Sequence, residues 1–184
     1  MTFVYYLSLS FIAATLLTSG SGHVFGFARF RAVVQSHNLV PPGFTTLVAV
    51  IISVFELVAG SASLVGLFSK EATPLTTLLF ALCAVAGCAF VWYIRRLLRN
   101  PDGIASCGCL PLTSPLTPAS LVPAIALLMV SATGLATASL GFDHALHLSY
   151  ERVGIAVALP LIWGVTLATI TMLLPASVPR ADER

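Results

Sequence analysis

The run PLTTLLFALCAVAGCAFVWYIRRLL, from Pro74 to Leu98, decides the fold. Between Leu75 and Tyr93 it holds no charged side chain. A helix rising about 1.5 Å per residue crosses the roughly 30 Å hydrocarbon core of a bilayer in a run of this length. Pro74 can open a helix, because the first backbone N–H groups have no partner within it. Trp92, Tyr93, Arg95 and Arg96 close it with the aromatic rings and snorkelling cations that sit well at a membrane interface.

Four other stretches read the same way: about Thr2 to Ser19, Pro42 to Phe68, Pro118 to Leu140 and Val153 to Leu174. Composition agrees. Of 184 residues, 58% are hydrophobic and only 9% charged, with a mean hydropathy of +0.98, too much apolar surface for a water-soluble globule. The predicted fold is therefore all-α, an integral membrane bundle of about five transmembrane helices, in which the lipid bilayer is the solvent. No internal repeat divides it, so residues 1–175 are expected to form one domain and 176–184 a short disordered tail. The first residues, Met1-Thr2-Phe3-Val4-Tyr5, lack the basic start of a secretory signal, and the first apolar segment reads as a retained anchor. The net charge is only +2, and no basic tract with interleaved aromatics is present, which argues against a nucleic-acid partner.

The connections carry the remaining information. Gly20-Ser21-Gly22 is expected to loosen the backbone after the first segment. Phe25, Phe27, Phe30, Val33 and Val34 then alternate with Arg29, Arg31 and Gln35, as in a short helix that lies on the interface or extends the first span. The fourth segment is dense in small residues such as Ala124, Ser131, Gly134 and Ala138, which let backbones approach closely, and is expected in the middle of the bundle. Basic residues give an orientation. With the amino terminus outside and the carboxyl terminus inside, Arg29, Arg31, Arg95, Arg96, Arg99, Arg180 and Arg184 face the cytoplasm, leaving only Lys70 and Arg152 outside.

Between the third and fourth segments lies Ser106-Cys107-Gly108-Cys109-Leu110-Pro111. Two thiols one residue apart close only a tight ring, and strained disulfides are the labile ones used in exchange. Gly108 costs least when the backbone must bend to bring the sulfurs together, and Arg95, Arg96 and Arg99 upstream favour the reactive thiolate. Cys107 and Cys109 are thus a candidate catalytic pair. Half of a metal site, or two small apolar residues without chemistry, are the competing readings.

Cys83 and Cys88 fall inside the third segment, and five helical residues rotate by roughly 500°, so they point to different faces. They are either buried hydrophobes or relays for the loop pair. Glu56 is the one carboxylate inside an apolar span, a costly placement that marks a candidate proton site or a structural hydrogen bond to His23, Arg29 or another helix. His144 and His147, with Asp143, offer either a proton relay and metal ligands or simply a wet interface. No Ser/His/Asp nucleophile motif, phosphate loop or HExxH box occurs, and no cofactor and no metal is assigned.

The chain resembles the methylamine utilisation protein MauE family and, more distantly, DoxX-like membrane proteins. The resemblance rests on the span order, on Glu56-Leu57-x-x-Gly60 after a Leu39-Val40-Pro41 turn, and on Cys107-Gly108-Cys109 after the third span. In the family the second cysteine is typically followed by Phe-Gly, where this chain has Leu110-Pro111. The resemblance implies a bacterial inner-membrane protein associated with disulfide chemistry. It further implies a thioredoxin-fold partner and maturation of a disulfide-rich methylamine dehydrogenase subunit. The expected function is thiol-disulfide exchange, a disulfide oxidoreductase activity passing reducing equivalents to or from that partner. The alternatives are a non-enzymatic assembly factor for an extracytoplasmic client and a small-solute carrier using Glu56.

Overall fold

The computed structural model describes residues 2–68, 74–99, 118–139 and six positions between 162 and 170. Every regular element among them is helical: α1 (Thr2–Phe25), α2 (Phe27–Ser36), α3 (Thr45–Gly66), α4 (Pro74–Leu98) and α5 (Leu121–Ser139). Four spans are long and apolar enough to cross a membrane: Val4–Phe25, Pro42–Gly66, Pro74–Leu98 and Pro118–Ser139. The fold is an all-α membrane bundle. Of the expected fifth span, Ile162, Trp163, Val165, Thr166, Thr169 and Ile170 are described, all helical and exposed. The rest of that span, the Cys-Gly-Cys loop, the His144/His147 connection and the 176–184 tail lie outside the described residues.

The helix boundaries follow the punctuation of the sequence. Pro42 opens a single 3-10 turn, Pro42–Phe44, that feeds α3, Pro74 starts α4, and Pro118 starts the turn that leads into α5. Between α2 and α3 the chain reverses through Asn38, whose φ of 51° is a left-handed conformation that asparagine tolerates better than most residues.

Two expectations are corrected. The glycines at 20 and 22 do not loosen the backbone, because α1 runs unbroken through them to Phe25. A Cβ on Gly20 would lie 3.1 Å from Glu56 Cβ and 3.2 Å from Leu57, so the missing side chain brings α1 and α3 together. The bend comes later, at Gly26, which has φ −104° and ψ 28°. Even there the helical ladder is kept, since Gly26 N–H donates to Gly22 O at 2.9 Å and Phe30 N–H to Gly26 O at 2.9 Å. Beyond the bend, Phe30 and Val34 bury against Ala49 while Arg29 and Arg31 stay exposed. α2 thus continues the helical ladder of α1 and packs against α3.

The second correction concerns which helix is central. Within the described residues the α1 span is 56% buried and the α5 span 22%. α1 packs against both α3 and α5, and α5 packs against α4, whereas α3 and α4 touch only lightly. The buried residues of α1 include Ser8, Leu9, Ser10, Phe11, Ile12, Ala13, Thr15 and Leu16, which occupy all sides of the helix. On α5 only the single line Ala124, Leu127, Ser131 and Gly134 is buried. Of its other small residues, Ala132, Thr133, Ala136 and Ser139 are exposed.

Glycine sets the interhelical distance at both tight pairs. A Cβ on Gly60 of α3 would meet the Leu17 backbone nitrogen of α1 at 3.0 Å, and one on Gly87 of α4 the Leu128 Cα of α5 at 3.0 Å. A Cβ on Gly134 of α5 would run into the Phe80 ring of α4. Between α3 and α4 a wholly apolar groove of about 500 Å³ remains, lined by Val50, Val54, Val58, Leu75, Leu78 and Leu82. In a bilayer this surface meets lipid tails and needs no polar cover.

Several buried hydroxyls along the spans are satisfied locally. Ser8 donates to Val4 O at 2.8 Å, Ser10 to Tyr6 O at 2.8 Å, Ser53 to Ala49 O at 2.9 Å and Ser63 to Ala59 O at 2.8 Å. Such bonds to the carbonyl one turn back hide a polar group inside its own helix.

Gly60→Val should lower the stability of the protein by about 1–3 kcal/mol, the usual cost of forcing methyl groups into a close-packed contact. Gly22→Ala, at a helical position where a Cβ meets nothing within 4 Å, should be neutral or should stabilise by up to about 1 kcal/mol. Thermal unfolding in one detergent compares them, and a Gly22→Ala variant less stable than Gly60→Val would refute the packing account.

Candidate functional site

Glu56 lies ten residues before the end of α3, near the middle of its span, and is 3% exposed. Helical spacing puts it on the same face as Ser53, Ala59, Gly60 and Ser63, the stripe that α3 buries. A carboxyl group there has left both water and the lipid headgroups, so each of its oxygens must find a partner inside the bundle.

Both partners come from α1. Ser19 Oγ donates to Glu56 Oε1 at 3.0 Å, and His23 Nδ1 lies 2.7 Å from Glu56 Oε2. Ser19 and His23 are one helical turn apart, so a straight α1 presents them to the same neighbour. Their being in one helix depends on α1 continuing through Gly20-Ser21-Gly22. His23 is 3% exposed, and Phe30 of α2 stacks on its ring with centroids 3.7 Å apart and planes 9° from parallel. The site is thus assembled from three helices, with the carboxyl on α3, its two partners on α1 and an aromatic lid on α2.

Not every polar atom is satisfied. Among the described residues His23 Nε2, Thr15 Oγ1, Ser131 Oγ and the Tyr5 hydroxyl are buried without a hydrogen-bond partner. Thr15 stands two turns before His23 on the face shared with Ser19, and Ser131 is on α5, the other helix packed on α1. No group of three His, Cys, Asp or Glu gathers as a metal site among the described residues.

Of the alternatives weighed for Glu56, the hydrogen bond to His23 is present. Ser19 and Phe30 were not anticipated as part of the site. The spacing Thr15, Ser19, His23 is the signal that identifies Ser19, and it becomes visible only once the glycines between are read as helical.

The helix cysteines are both free. Cys83 is fully enclosed, with Leu79, Phe80 and Leu127 in the same core cluster, while Cys88 is exposed. They occupy different faces of α4, as their spacing requires. Cys107 and Cys109 lie outside the described residues, but the two ends of their segment do not. One is the last turn of α4, with Arg96 5.6 Å from the Trp92 ring, and the other is the turn at Pro118. At the same end of α4, Tyr93 hydrogen-bonds His37 at 2.5 Å and so joins it to the end of α2.

With the geometry described, comparison with known proteins adds one finding. The family model for methylamine utilisation protein MauE matches residues 1–141. No curated protein and no solved structure matches the chain. The matched range takes in α1 to α5 complete, the Ser19, His23 and Glu56 cluster and all four cysteines. On that match and on its bundle of apolar spans, this integral membrane protein belongs to the methylamine utilisation protein MauE family.

Proposed function

We propose that this protein is a membrane thiol-disulfide exchange protein that passes reducing equivalents to or from a thioredoxin-fold partner through Cys107 and Cys109. The supporting observation is the position of the pair. Two cysteines one residue apart lie in the segment joining α4 to α5, helices held together by glycine contacts at Gly87 and Gly134, and the whole segment is inside the range matched by the family. Tight packing below such a segment limits how far its ends can move, which favours a reproducible approach by a partner protein.

In the reducing direction, one loop thiolate attacks a sulfur of the partner's disulfide, forming a mixed disulfide and releasing the partner's other sulfur as a thiolate. The second loop thiolate then attacks the loop sulfur of that mixed bond. The loop pair leaves as a disulfide, and the partner leaves as a dithiol with two electrons gained. The reverse sequence oxidises the partner. Arg95 and Arg96 in the last turn of α4, with Arg99 just beyond, favour the thiolate through their charge. Cys83 and Cys88 are the candidate relays for the loop pair, Cys83 enclosed and Cys88 exposed. Catalysis of this kind makes the protein a disulfide oxidoreductase of the bacterial inner membrane, with the pair on the side that carries most of the arginines.

Replacing one cysteine of the pair by serine should accumulate a mixed disulfide with the partner, because the resolving thiol is gone. Replacing the other should abolish attack altogether. Non-reducing gels against a panel of thioredoxin-fold proteins read both outcomes, and full exchange activity in Cys107→Ser and in Cys109→Ser would remove the proposal.

Sidedness has its own expected result. A membrane-impermeant thiol reagent should label Cys107 and Cys109 in inverted vesicles and spare them in intact cells, with labelling increasing after reduction. The opposite pattern would place the pair on the outer face.

A further inference from the structure

Arginine gathers at one end of the bundle. His37, at the end of α2, hydrogen-bonds Tyr93 near the end of α4, so the two helices finish beside each other. Arg29 and Arg31 lie within about 12 Å of that contact along α2, and Arg95, Arg96 and Arg99 within about 9 Å of it along α4 and its last turn. All five are exposed. The single carboxyl group among the described residues, Glu56, is buried and already met by Ser19 and His23. Along the sequence the next acid after the three arginines of α4 is Asp102, one against three.

Two kinds of partner carry the opposite charge, an acidic protein surface and the phosphates of lipid headgroups, and the depth of α2 decides between them. Phe30 and Val34 pack on Ala49, which lies seven residues inside the membrane-crossing stretch Pro42–Gly66, about 10 Å along the helix axis from its start. Arg31 stands between those two residues in sequence and is exposed where they are buried, so its backbone sits below the membrane surface and its long side chain snorkels up to the headgroups. A lipid phosphate reaches that depth and a water-soluble protein does not.

On α4 an aromatic ring marks the same level. Trp92 is 61% exposed, as tryptophans of the interfacial belt are. The Arg96 guanidinium lies 5.6 Å from its ring centroid, a cation–π contact that holds the charge at the height of the belt. The residue type points the same way. Any cation would orient the spans, yet every Lys or Arg described at this end is arginine, and the one lysine of the chain, Lys70, precedes α4 at its other end. The planar guanidinium donates two parallel N–H groups to phosphate oxygens, which an ammonium cannot do.

We propose that Arg31 of α2 and Arg95, Arg96 and Arg99 at the end of α4 form a binding surface for anionic phospholipid headgroups, their guanidinium groups donating to phosphate oxygens in the leaflet at this end of the bundle. Zwitterionic lipids carry the phosphate too, but their own ammonium offsets it, so lipids with a net negative charge are preferred. The contact between His37 and Tyr93 keeps the two helix ends together beneath the headgroups. This inference goes beyond the thiol reading and requires none of it.

The test uses the full chain with Trp163→Phe, which leaves Trp92 as its one tryptophan, in bilayers that mix phosphatidylcholine and phosphatidylglycerol with either lipid brominated in turn. Bromine quenches indole fluorescence on contact, so the quenching of Trp92 reads which lipid lies beside it. The expected result is a preference for phosphatidylglycerol of about fivefold or more at low salt, the effect of one arginine or more near a charged headgroup. That preference should fall as salt screens the charges. It should be largely lost when Arg31, Arg95 and Arg99 are each changed to Gln, with Arg96 kept so that the surroundings of the reporter are unchanged. The converse chain, Trp92→Phe, reports from Trp163, midway along the fifth apolar segment, and should show no preference. Should the arginine variant not fold, the salt series on the chain with all its arginines decides. Equal quenching of Trp92 by the two lipids, a preference that salt leaves intact, or one that the arginine variant keeps would overturn the proposal and leave these arginines to orienting the spans or to an acidic protein.

Discussion

A carboxyl group halfway along an apolar helix must be answered from another helix, and much of this bundle is arranged around the answer to Glu56. Ser19 and His23 meet its two oxygens, which fixes α1 against α3 in both rotation and height. Once that register is set, Gly20 faces Glu56 and Leu57 while Gly60 faces Leu17, so each helix offers a glycine to the other. The continuation of α1 into α2 then brings Phe30 over His23 and Val34 against Ala49. Polar pairing and close packing support the same register, and such agreement between levels is what makes one arrangement preferred over its neighbours.

In lipid the hydrophobic effect gives helices little reason to associate, since a leucine is as well solvated by acyl chains as by another helix. This explains why the outward faces are so apolar. Val50, Ile51, Val54 and Val58 of α3 and Leu75, Leu78, Leu82 and Val85 of α4 are all exposed. It also explains why the interior is not richer in large hydrophobes than the surface. Association depends on shape and on a few polar contacts, and the two glycine-mediated pairs, α1 with α3 and α4 with α5, meet chiefly where α1 touches α5.

The sequence carried the spans because their limits are chemical. Prolines 42, 74 and 118 and the aromatic and basic cluster at 92–96 mark helix ends through lost donors and interfacial preference, and α4 begins and ends where that reading placed it. Glu56 was equally legible, as a lone carboxylate in a span, and His23 was among its expected partners. The break at Gly20-Ser21-Gly22 was misread because glycine has two opposite uses in a helix, as a breaker in water and as a contact point in lipid, and composition does not separate them. Ser19 and Phe30 went unseen for that reason. The central position of α1 was hidden too, since serines and threonines that bond their own helix leave no periodic signature. Of the thiol pair, the sequence supplied the spacing and the setting, and the family match supplied the context.

The pairing of Glu56 with residues 33 and 37 positions earlier in the chain bears on how the protein is made. A growing chain delivers α1 to the bilayer first, so the imidazole and the hydroxyl are already waiting when the acidic segment emerges from the ribosome. Left alone, that segment would enter lipid with its one acidic group uncovered, at a cost of a few kcal/mol. Following its partner, it can join as the second half of a hairpin with the acid already hidden. The order of the helices along the gene is thus also the order in which biogenesis needs them.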